Sequence, residues 1–148
     1  MEIRGSALVH ALPATVSRAL DEPACLRRSI PGCETLVGGE DLYRIEVSIG
    51  VAAVRGRYEG EVRILRHEAG ECFDFHLGLT SARGFVDATV RTTLSAEADG
   101  TRVSYVAESE LGGPLAALGQ RIAGGVATLL VRQFCEGLGR EAEAMDKG

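Results

Sequence analysis

The side chains able to do chemistry in this chain are few and poorly grouped. Cys25, Cys33, Cys72 and Cys135 are scattered, with no Cys-x-x-Cys pair and no histidine at metal-ligand spacing. They read as reduced, structural thiols, and neither a metal nor a cofactor is expected. His10, His67 and His76 fall at a strand end, near a turn and on an outward position, so they read as solvated histidines rather than bases. Asp74 and Asp87 point outward by strand parity. No glycine-rich phosphate loop and no nucleophile elbow occurs. What remains is a set of inward hydroxyls, on Tyr43, Tyr58, Tyr105, Thr92 and Ser109. A proton-moving enzyme would have to rely on them, whereas tyrosines in such places usually bring a large apolar body and a satisfied hydroxyl.

The element that must organise these positions is the stretch from Gly112 to Met145. Wound at about 100° per residue, it gathers Leu115, Leu118, Ile122, Val126, Leu129, Leu130, Phe134 and Leu138 on one half, with Arg121, Arg132 and Glu136 on the other. Gly113 can cap it, and Pro114 suits a first helical position because its missing N–H would be orphaned there anyway. A helix of that span is about 48 Å long and must lie across something broad and apolar. Small residues, Gly119, Ala123, Ala127 and Gly137, interrupt its apolar arc. They permit either a close backbone approach or a space walled by their larger neighbours. Gly124-Gly125 weakens the helix locally, at about 1 kcal/mol per glycine against alanine.

Ahead of that helix the period is two. Ile3, Gly5, Ala7 and Val9 suggest a first strand, and Pro13–Asp21 and Ala24–Ser29 two short helices. Then Tyr43 to Val51, Tyr58 to Ile64, Phe73 to Leu79, Val86 to Leu94 and Val103 to Ala107 alternate apolar and polar residues. Turn signals separate them: Gly38-Gly39-Glu40-Asp41, Arg55-Gly56, Ala69-Gly70-Glu71, Ser81-Ala82-Arg83-Gly84 and Asp99-Gly100. Short connections make antiparallel neighbours, and a one-sided sheet needs its apolar face covered. The expected fold is therefore α+β: a curved antiparallel sheet of about seven strands gripping the long C-terminal helix, with two short helices closing one end.

Length and charge set the outer bounds. One domain spanning 1–148 is expected, large enough for a real core. A net charge of −5 argues against general nucleic-acid binding. Met1-Glu2-Ile3-Arg4-Gly5 lacks a signal peptide's apolar core, so a cytoplasmic protein is expected. No unbroken run of about 18 apolar residues occurs, so no membrane span is expected.

That order of elements matches the helix-grip fold of the START and birch-pollen-allergen superfamily, and local sequence narrows it. Arg27-Arg28-Ser29-Ile30-Pro31-Gly32-Cys33-Glu34, Gly50-Val51-Ala52-Ala53-Val54-Arg55-Gly56-Arg57-Tyr58-Glu59-Gly60 and Gly112-Gly113-Pro114-Leu115-Ala116-Ala117-Leu118-Gly119 resemble three blocks of the CoxG family of carbon monoxide dehydrogenase proteins, in the family's order. The resemblance implies a non-catalytic, cavity-bearing protein associated with a molybdenum-containing CO dehydrogenase-type oxidoreductase and linked to membrane recruitment or to handling a quinone-like lipid. The chain departs from the family by ending at Gly148 without the long tail and hydrophobic terminal segment of longer members, and by Ala52-Ala53 where Gly-Pro is frequent. Anchoring through such a tail is therefore not expected.

Sequence and resemblance together point to a hydrophobic small molecule, lipid or quinone-like, held between sheet and helix. Tyr43, Ile45, Val47, Tyr58, Val62, Phe75, Leu77, Val90 and Tyr105 of the sheet, with Leu118, Ile122 and Leu129 of the helix, are the expected lining. Arg27, Arg28, Arg55 and Arg57 could form a basic rim at the mouth, suited to peripheral contact with anionic lipid or to an acidic partner surface in an adaptor role. Oligomeric state is open.

Overall fold

The computed structural model describes residues 1–66 and 71–147. His67 and most of the expected Ala69-Gly70-Glu71 turn lie outside those residues. Strand β1 (Glu2–Val9) is followed by helices α1 (Pro13–Asp21) and α2 (Pro23–Ser29). Then come β2 (Cys33–Gly39), β3 (Leu42–Ile49), a 3-10 turn (Ala52–Val54), β4 (Gly56–Arg66), β5 (Cys72–Ser81), β6 (Gly84–Glu97) and β7 (Gly100–Gly112). A second 3-10 turn (Gly113–Leu118) leads into α3 (Gly119–Lys147). The strands form one antiparallel sheet in the order β1-β7-β6-β5-β4-β3-β2, a meander whose last strand accepts the first along its free edge.

Register explains how the alternating sequence makes a wall. Tyr43, Val62, Leu77, Ala88 and Ser109 are successive cross-strand partners, as are Ile64, Phe75, Val90, Ala107 and Ile3. Both rows cross the concave face, because residues paired across strands share a face. The convex face carries the charge. There His76 meets Asp87 at 3.0 Å, Arg57 meets Glu46 at 2.6 Å, and Arg91 approaches the largely buried Asp74 at 3.7 Å. In the β2–β3 turn, Glu40 and Asp41 both take positive φ, the twist a two-residue hairpin needs.

One end of the concave face is packed solid. Thr15, Val16, Ala19 and Leu20 of α1 are buried, at the spacing of one helical face. They meet Phe73, Ile64, Leu94 and Val103 of the sheet and Cys135, Leu138 and Ala142 of α3. Pro13 and Pro23 open α1 and α2 without loss of a hydrogen bond. Thr15 Oγ1 donates to Asp146 at 2.6 Å, tying α1 to the last turn of α3.

The terminal helix differs from expectation at its start. Pro114 opens a 3-10 turn that ends at Gly119, whose φ of 79° and ψ of 160° lie outside helical space, and the α-helix begins only there. The 29 residues of α3 span about 44 Å. The reading that nothing is apolar enough to span a membrane also needs correction. Gly113–Lys147 contains an 18-residue window of mean hydropathy 1.3, sufficient by length and composition, with 11% of that window buried. Arg121 and the scattered glycines do not outweigh its leucines, isoleucine and valines in the average.

Candidate functional site

Between the concave sheet and the first half of α3 lies a cavity of about 320 Å³. Two apolar clusters, joined through Leu36, flank it. One is the solid end just described. The other gathers Ile45, Val47, Tyr58, Val62 and Leu115 under the two 3-10 turns. Between them α3 offers Ala123, Val126, Ala127 and Leu130, too short or too distant to fill the gap. Val126, Ala127 and Leu130 remain only partly buried although they face the sheet. Phe75 and Phe134 meet edge to face, with ring centroids 6.1 Å apart, where the cavity gives way to the packed end.

The small residues of α3 thus serve different ends. Ala123 and Ala127 leave room over the cavity. Gly137 allows close approach, since a Cβ there would lie 2.8 Å from the Cα of Ser29 in α2. Gly139 packs on Val9, and Gly124 lies beside Met1 and Ile3, so α3 rests on the β1 edge along that side.

Of the twelve residues expected to line the site, ten border the cavity: Tyr43, Ile45, Val47, Tyr58, Val62, Phe75, Leu77, Val90, Tyr105 and Leu118. Ile122 and Leu129 do not. With the α-helix beginning at Gly119, the inward stripe runs through Ala123, Ala127, Leu130 and Phe134, and at about 100° per residue Ile122 and Leu129 fall on the outer flank. Ile122 is 48% exposed. Parity missed the parts of the wall supplied by loops, namely Ile30 and Pro31 after α2 and Val54 in the first 3-10 turn. Their apolar character amid turn residues was the available signal.

The arginines expected to form a basic rim are each engaged by a neighbouring acceptor. Arg28 pairs with Glu141 of α3, and Arg57 with Glu46 and, at 3.8 Å, Glu34 on the convex side. Arg27 donates to the Glu34 carbonyl, and Arg55 to that of Gly50. Carboxylates and carbonyls on neighbouring elements capture the arginines that sequence proximity had grouped.

Chemically the cavity is nearly mute. Among the described residues, no Asp, Glu, Lys, Arg or His lines it. The Tyr58 hydroxyl donates to the Val54 carbonyl at 2.6 Å and pins the 3-10 turn. The Tyr105 hydroxyl lies over Gly5, where a Cβ would come within 2.5 Å of it. Burial first, then Cys135, push the Tyr105 phenol above its ordinary range, with Arg132 pulling it back. Burial and then Asp41 likewise raise Tyr43. Burial, reinforced by Glu136, pushes the Cys135 thiol up to about 11, so it stays protonated and un-nucleophilic near neutrality. Among the described residues, no group of three or more His, Cys, Asp or Glu could hold a metal.

A curved sheet around a long C-terminal helix, hollow between the two, defines a START-like helix-grip protein. Solved structures agree. A conserved protein from Geobacillus kaustophilus is similar at 31% identity and a TM-score of 0.91, over 97% of this chain and 96% of that one. A START superfamily protein from Mycobacterium smegmatis is similar in fold, at 12% identity and a TM-score of 0.71, over 97% and 98%. The di-domain ARO/CYC StfQ of the steffimycin biosynthetic pathway shares the fold at 9% identity and a TM-score of 0.73, over 99% of this chain and 52% of that one. Comparison with curated proteins gives no match. Residues 5–143 match the family described as the G subunit of carbon monoxide dehydrogenase, and the chain belongs to that CoxG family.

Proposed function

We propose that this protein is a non-catalytic carrier that holds a hydrophobic small molecule, lipid or quinone-like, between its sheet and α3. One observation supports the reading above the others: a cavity of about 320 Å³ on whose wall, among the described residues, no charged side chain stands. That volume lies within the range of about 300–1,000 Å³ usual for ligand sites. If sealed and dry it would cost at most about 8 kcal/mol at about 24 cal/mol per Å³, an upper figure for a cavity open to solvent on part of its rim. A whole domain is stable by only about 5–15 kcal/mol. Filling it with water is also unfavourable, because a buried water needs about two to four polar partners, and the wall offers only a few hydroxyls. An apolar guest resolves both problems.

A cyclase-type enzyme finds less support. The likeness to StfQ is one of fold, and here, among the described residues, no carboxylate or imidazole lines the cavity to move a proton. The family's name supports a CO dehydrogenase-type oxidoreductase as the partner that such a carrier serves.

Organic extraction of the purified protein followed by mass spectrometry is the direct test. A lipophilic compound present in near-stoichiometric amount is the expected result. An empty protein that also ignores the neutral fluorophore N-phenyl-1-naphthylamine would sink the proposal. Co-purification with the oxidoreductase tests the partner separately.

A further inference from the structure

The cavity has four sides, and they are not equally secured. Along β1, Gly124 and Gly139 of α3 lie against Met1, Ile3 and Val9. At the packed end, Gly137 lies flush on Ser29, and fully buried Phe73, Ile64 and Leu138 fill the space. On the β3–β4 side, the Tyr58 hydroxyl holds the Ala52–Val54 turn through the Val54 carbonyl. The remaining side is bordered by the 3-10 turn Gly113–Leu118, whose Leu115 and Leu118 line the cavity.

That turn is built as a separate piece. It is bounded by Gly113 at φ 64° and Gly119 at φ 79°, both in the left-handed half of backbone space. Gly119 also has ψ 160°, a combination that is essentially glycine-only. Among the described residues, one backbone hydrogen bond beyond its own helical bonds ties it to the sheet, from Leu115 N to Arg83 O at 3.0 Å, and Gly113 lies beside the Gly84 backbone. Its grip is otherwise apolar: Leu115, 3% exposed, and the partly buried Leu118 reach inward, while Pro114, Ala116 and Ala117 face solvent. A short segment with a glycine joint at each end, one tether and two leucines inserted into a cavity has the construction of a hinged lid.

We propose that Gly113–Leu118 is the lid through which the guest reaches the cavity, turning on Gly113 and Gly119 and withdrawing Leu115 and Leu118 when it opens. The proposal rests on the carrier reading and adds the route. It makes Gly119 a residue that sets exchange rates without touching the guest. Nothing lies within 4 Å of a Cβ added at Gly119, so Gly119→Ala brings no clash and acts through backbone strain alone. Strain of that kind raises the closed lid in the free and the loaded protein alike.

The test is stopped-flow uptake and release of N-phenyl-1-naphthylamine by the full chain. In Gly119→Ala both rates should rise about five-fold or more, with the Kd changed less than about two-fold. Gly125→Ala, whose added Cβ also meets nothing but which lies within α3, is the control and should leave both rates unchanged. A second readout needs no variant. Hydrogen exchange at the Leu115 amide should be fast relative to the β6 and β7 ladder and should slow when the probe is bound. Uptake at wild-type rates in Gly119→Ala, or a Leu115 amide as protected as the ladder, overturns the lid and leaves the carrier standing. A wild-type protein that takes up no probe overturns both.

Discussion

Gly137 of α3 packs directly on the Ser29 backbone of α2: a Cβ at 137 would sit 2.8 Å from the Ser29 Cα and 3.0 Å from its carbonyl oxygen. The contact fixes where α3 can lie, and so how far its first half stands off the sheet. Gly137→Ala should cost about 1–3 kcal/mol in urea unfolding, because backbone rather than a flexible side-chain end must shift. Gly125→Ala, on the same helix with open space around it, should instead gain about 0.5–1 kcal/mol. Equal effects at both positions would mean that α2 does not set the position of α3.

Ala127 is where the cavity can be filled from the helix. Ala127→Leu places three further carbons over the void, each worth about 0.8 kcal/mol if buried. Thermal stability should hold or rise, while affinity for N-phenyl-1-naphthylamine falls about ten-fold or more. Loss of stability with binding retained would place the guest elsewhere.

The Cys135 thiol couples stability to alkaline pH. Its folded value of about 11 lies above the usual 9.0, so the folded protein retains a proton that the unfolded chain releases. The stabilisation is whole below about pH 9 and is lost as pH rises through about 11, a change on the order of 2–3 kcal/mol. Chemical unfolding between pH 8 and 11 should show this fall in the native chain and a flatter profile in Cys135→Ala. The same burial makes Cys135 and Cys25 slow toward Ellman's reagent, with the half-buried Cys33 and Cys72 faster.

Arg66 joins three elements. It pairs with Asp21 at the end of α1 and, at 2.7 Å, with Asp41 in the β2–β3 turn, and its guanidinium lies 5.6 Å from the centroid of Phe73. Arg66→Met keeps the stem and removes the charge, and should cost about 1–2 kcal/mol in low salt. At about 1 M salt the ion-pair share is screened, and the difference from wild type should narrow without vanishing. A salt-independent difference would assign the whole effect to packing on Phe73.

Legibility in the sequence followed the range of the interaction concerned. Strand parity placed Tyr43, Val62, Leu77 and Val90 on one face because alternation is a property of adjacent residues, and cross-strand register then aligned them into a wall. The outward placement of His76 and Asp87 followed from the same parity. Ile122 and Leu129 were misplaced because an apolar arc half a circumference wide does not say which of its flanks meets the sheet. The angle at Gly119 that parts the 3-10 turn from α3 was also hidden, because glycine's residue type permits it without requiring it. The partners of the arginines were hidden as well. Neighbours in sequence, Arg27 and Arg28, separate at once when one meets the Glu34 carbonyl and the other Glu141.

Residue order by itself determined a one-sided antiparallel sheet, a long amphipathic helix to cover it, and kinship with the CoxG family, because periodicity and turn chemistry are local and repeat along the chain. Whether the covered space is solid or hollow was decided only in three dimensions. Gly137 against Ser29, Gly124 against Ile3 and the joint at Gly119 set the height of α3 above the sheet, and that height is a sum of contacts between residues far apart in the chain. Each of those residues is compatible with a filled core. Their joint geometry leaves about 320 Å³ that the chain does not fill.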